Sequence, residues 1–60
     1  MTIQERIDRR IVELNDLIAK HDRGSRDART DAEKYRHADM ARGYAQAKLE
    51  LVRIKVEAAA

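Results

Sequence analysis

Sixty residues make one domain at most, and a domain of that size buries only about 60% of its unfolded surface. Charged residues are 40% of the chain, 13 basic against 11 acidic, for a net charge of +2. The signs are interleaved, which is not the block of one sign that marks a disordered tail, and the excess is too small to specify nucleic acid. There is no Cys and there are only two His, so disulfides and thiolate zinc sites are excluded and a structural metal is not expected. Of the usual supports for a small fold, oligomerisation remains.

No apolar run approaches the roughly 18 residues of a membrane span. The N-terminus, MTIQERIDRR, is charged from Glu5 onward and lacks an apolar core segment, so it does not read as a signal peptide. The expectation is a cytoplasmic protein with no membrane contact, or an intracellular phage or plasmid product.

In chain order, Thr2 and Glu5 form a T-x-x-E capping box, with the Glu side chain reaching back to the amide of residue 2. Ile3, Ile7, Ile11, Leu14 and Ile18 follow at helical spacing, widened by Val12 and Leu17. A first helix is predicted over residues 3–21. Its polar face offers two favourable i,i+4 pairs, Glu5 with Arg9 and Asp16 with Lys20. His21 continues the apolar stripe, where its expected role is to face the helix's C-terminal dipole. Gly24 is a natural residue for ending the helix.

Residues 22–30, DRGSRDART, are the only loop candidate. Two starts compete for the second helix. One is a cap at Ser25; the other is a second capping box, Thr30 with Glu33. The earlier start is favoured, because Ala28, Ala32 and Tyr35 keep helical spacing. The prediction is a turn at 22–25 and a helix over about 26–58, unbroken by Pro. Gly43, inside that helix, is either a tolerated surface residue or a point of close approach.

Helix 2 carries two apolar stripes. The first runs Ala38, Ala41, Ala45, Leu49, Val52, Val56 and Ala59. The second runs Met40, Tyr44, Ala47, Leu51, Ile54 and Ala58. Both alternate steps of three and four, and they lie roughly 160° apart on the helix. A helix apolar on opposite sides needs two neighbours. Helix 1, roughly 28 Å long, would cover only the first part of a helix roughly 50 Å long, leaving an apolar extension from about Gln46. The predicted fold is therefore all-α: an antiparallel hairpin of a short and a long helix, assembling into a homodimeric four-helix bundle. The expected protein interface is Met40, Tyr44, Ala47, Leu49, Leu51, Val52, Ile54 and Val56. The partner is a second copy, or another protein's helix docked on the same extension. In plan this is similar to the Rop family of plasmid RNA-binding proteins, a likeness of architecture alone that transfers no function.

Little in the chain points to chemistry. Glu33 and His37 share a helix face at i,i+4, but bundle metal sites use Glu-x-x-His with further carboxylates opposite; a solvated pair is expected. Ser25 is the only Ser and lacks a nucleophile-elbow frame. Asp27 and Asp31 fit a helix start. There is no P-loop or dinucleotide fingerprint. A non-enzymatic protein is expected, with no catalytic residue, metal or cofactor, acting by protein–protein interaction as a regulator, adaptor or assembly factor. The rival from another class is nucleic-acid contact through Arg23, Arg26, Arg29 and Arg36 around the turn. Asp22, Asp27, Asp31 and Glu33 are mixed into that set, and phosphate binders concentrate charge without such neutralisation. Both Tyr lie at apolar spacing, which leaves no exposed stacking ring in this reading.

Overall fold

The computed structural model describes residues 1–59, which form two helices and no strand: α1, Ile3–Asp27, and α2, Asp31–Ala59. Thr2 caps α1, its Oγ1 accepting from the Glu5 amide at 3.1 Å. The Glu5 carboxylate does not take the residue-2 amide; it accepts the Thr2 hydroxyl instead, at 3.1 Å. Thr30 caps α2 in the same way, accepting from the Glu33 amide at 3.2 Å.

The turn differs from the prediction. Residues 22–25 are helical, α1 runs on to Asp27, and the link is residues 28–30. Of the two candidate caps, Thr30 is the one used. Ser25 is inside α1 and its hydroxyl donates to the Lys34 carbonyl of α2 at 3.3 Å. Gly24 does not end the helix: no Gly has a positive φ, and α1 closes on Ala28 in an extended conformation. Neither predicted i,i+4 pair on α1 forms. Arg10 instead reaches Glu13, one turn along, at 3.0 Å, an exposed pair worth a few tenths of a kcal/mol.

Ser25 with Lys34, His21 with His37, and Asp8 with Lys55 fix an antiparallel register along the hairpin. The two helices are thus nearly equal in length, and α2 does not overhang α1: the ion pair of Lys55 with Asp8 ties its last turns to the first turns of α1. The large exposed side chains of α2 are exposed because they point aside, not because they project past a neighbour.

The seam explains why. On α1 it comprises Ile7, Ile11, Leu14, Leu17, Ile18, His21, Gly24 and Ser25, continued by Ala28 of the link. On α2 it is His37, Ala41, Tyr44, Lys48, Leu51 and Lys55, with Ala45 alongside. The α2 positions step by four and three, a heptad-like line. That line follows neither predicted stripe. It runs between them, taking Ala41 and Ala45 from one and Tyr44 and Leu51 from the other. Among the described residues only Leu14 and Ala41 are buried outright. Lys48 and Lys55 occupy seam positions partly buried, as long side chains do when the stem covers apolar surface and the ammonium stays wet.

Candidate functional site

The predicted interface residues fall into two groups. Tyr44 and Leu51 are partly buried in the seam against α1 within the same chain. Met40, Ala47 and Ile54 lie exposed on one flank of that seam, and Leu49, Val52 and Val56 on the other. Leu49 and Val56 retain 61% and 63% of their accessible surface. Val12 on α1 and Ile3 at its start are also exposed. Exposed apolar side chains thus line both edges of α2, the kind of surface that marks an interaction site.

Arg23, Arg26, Arg29 and Arg36 are all exposed. Arg23 and Arg26 stand in the last turns of α1, Arg29 in the link and Arg36 in α2. Arg26 lines a shallow open depression with Asp22 and Ser25. Tyr35 departs from its predicted place on an apolar stripe: it is 65% exposed, next to Arg36.

A third cluster joins His21, His37 and Tyr44. His21 does not face a helix terminus, since α1 continues for six residues beyond it. Its Nδ1 lies 2.9 Å from Nδ1 of His37 across the seam. Its ring also stacks on Tyr44, with centroids 5.6 Å apart and planes 26° from parallel. His37 therefore does not pair with Glu33. Gly24 makes room for this contact: a Cβ there would stand 2.8–2.9 Å from three atoms of the His37 ring, closer than carbon atoms approach. Gly43, by contrast, faces open space, with nothing within 4 Å of a Cβ. The signal for the pair was present in the sequence. His37, Ala41 and Tyr44 continue one four-three line, His21 extends the apolar stripe of α1, and Gly24 follows it by one turn.

No group of three or more His, Cys, Asp or Glu converges on a common point among the described residues. The Ser25 hydroxyl is engaged with a backbone carbonyl. The remaining surface features are the exposed apolar edges of α2 and the mixed-charge turn. The chain matches no protein-family model, no curated protein and no solved structure.

Proposed function

We propose that this chain is a non-enzymatic self-associating hairpin, two copies of which pack face to face as a four-helix bundle and act through protein–protein contact. The observation that carries this reading is the shape. The Cα envelope measures 45 × 18 × 11 Å, a slab one helix thick, whereas stable domains are built from at least two packed layers. A single layer has no interior: among the described residues two side chains are buried, while nine large apolar ones are exposed. A second copy supplies the missing layer. Each Leu or Val removed from water contributes about 1.5–3 kcal/mol, and Leu49, Val52 and Val56, together on one flank, offer three such side chains per protomer.

The test uses side chains that the hairpin alone leaves exposed. Leu49→Glu with Val56→Glu is near neutral in a lone hairpin, where surface changes stay within about 0.5 kcal/mol. In the assembly it buries carboxylates without partners, which costs several kcal/mol. The parent should scatter light as twice the chain mass and melt at a temperature that rises with concentration. The double mutant should be a weakly helical monomer. A parent that is monomeric and concentration-independent overturns the reading.

Exposed Tyr35 beside the turn arginines favours a second reading, nucleic-acid contact, because an exposed ring is what base stacking needs. That reading predicts co-purified nucleic acid and binding that weakens steeply with salt and is lost in Tyr35→Ala.

A further inference from the structure

We propose, resting on the self-association above, that the second copy docks on the Leu49 flank of α2, as α2 against α2 in antiparallel orientation, with each α1 on the outside. Self-association alone leaves the face, the orientation and the register open.

The face follows from spacing. The intrachain seam of α2 takes His37, Ala41, Tyr44, Lys48, Leu51 and Lys55. The same four-three steps recur one residue on, through Ala38, Arg42, Ala45, Leu49, Val52 and Val56. One residue turns a helix by about 100°, so this second heptad line looks nearly at right angles to α1. A helix can pack along it without displacing α1. The opposite flank, one residue before the seam, forms no such line, because Arg36, Glu50 and Glu57 alternate there with Met40, Ala47 and Ile54. On the Leu49 side, α1 shows Asp8, Asn15 and Asp22, with Val12 and Ala19 between them. The free seam therefore belongs to α2, and a single helix covers it.

The occupant and its direction follow from how the line is graded. Its first half carries the small Ala38 and Ala45, and its second half the bulky Leu49, Val52 and Val56. Reversed against itself, the line is complementary. With Ala45 beside Leu49 of the second copy, Ala38 faces Val56 and Arg42 faces Val52, small against large over most of its length. Parallel pairing sets Ala on Ala, which leaves gaps, and Arg42 on Arg42, two guanidiniums in the seam without an acid.

Flanking charges agree. In the antiparallel register Asp39 meets Arg53 of the second copy, twice by symmetry, and Lys48 meets its own counterpart once, at the axis. In the parallel dimer Lys34 meets Asp39, but Lys48 meets Arg53, so opposite and like pairs cancel. Asp39 and Arg53 are exposed, and among the described residues neither is in an ion pair within the hairpin. Exposed pairs add little affinity; their part is to choose the orientation.

The chain has no Cys, so Glu57→Cys gives one nitroxide label per copy at an exposed position off the line. In the antiparallel register residue 57 lies opposite residue 37 of the second copy. The two labels should then stand about 30 Å apart, and in a parallel dimer under about 20 Å. Light scattering adds the face. Met40→Glu with Ile54→Glu should remain dimeric, and Leu49→Glu with Val56→Glu should not. Asp39→Arg should weaken the dimer several-fold, and adding Arg53→Asp should restore it. A monomeric parent overturns both the self-association and this docking mode. A dimeric parent with the short label distance keeps the association and overturns the docking mode alone. So does a dimer that Met40→Glu with Ile54→Glu dissociates, or a charge swap that restores nothing.

Discussion

The two ends of this hairpin are held by different means. At the turn end, the helices are joined by a ring-to-ring hydrogen bond, a stack on Tyr44 and the Ser25 bond to the Lys34 carbonyl. The seam there is lined by Gly24, Ser25, Ala28 and Ala41, small residues that let backbones and rings approach. At the open end, Ile3 and Val56 remain 75% and 63% exposed, and the cross-helix tie is the exposed pair of Lys55 with Asp8. There Leu49, Val52, Ile54 and Val56 of α2 sit on the flanks, and Lys48 and Lys55 share the seam with Leu51. One end satisfies its side chains within the chain, and the other presents them outward. Stability and association are therefore expected to be separable by position.

The largest effect should come from the hinge between these regimes. Leu14 is 1% exposed and is the one large side chain fully enclosed. Leu14→Ala should cost about 2–5 kcal/mol, enough to unfold a protein of this size, and circular dichroism should show the helical signal collapse. If the signal survives unchanged, intrachain packing is not what holds the hairpin.

The two glycines sharpen the contrast further, and their signs should be opposite. Gly24→Ala drives a methyl into the His37 ring and should destabilise by about 1–3 kcal/mol, as overpacking does. Gly43→Ala meets open space and should stabilise by about 0.5–1 kcal/mol through helix propensity alone. Urea titrations of both variants settle the pair; equal shifts would mean that His37 yields without cost. The smallest effect belongs to the open-end ion pair. Both partners are about half exposed, so Asp8→Asn should move stability by less than about 0.5–1 kcal/mol, less still in high salt. A larger loss would show that the open end is tied more firmly than its exposure implies.

Much of this architecture was legible in the residues. The Thr2 cap marks the start of α1, and Ile7, Ile11, Leu14 and Ile18 of its apolar line do face inward, whereas Ile3 and Val12 of the same reading stay exposed. Thr30 with Glu33 reads as a cap in the sequence, yet the helical spacing of Ala28, Ala32 and Tyr35 favours Ser25. Ser25 and Gly24 carry the same signals whether they end a helix or pack inside one. Only the approach of His37 and Lys34 from the other helix distinguishes the two.

What the sequence by itself determined is therefore local: two helices, all-α class, the caps and the apolar line of α1. These follow from hydrogen-bond chemistry at helix starts and from spacing along one chain. The tertiary structure decided which side of α2 meets α1. Hydrophobic pattern alone would place one stripe inward and leave the other for a partner. A single neighbouring helix shields only one line of another, and the line chosen is the one where small side chains and stackable rings allow close contact. It falls midway between the stripes, so each is half sheltered. Close packing of shape, which no one-dimensional pattern encodes, set that choice and with it the meeting of His21 and His37.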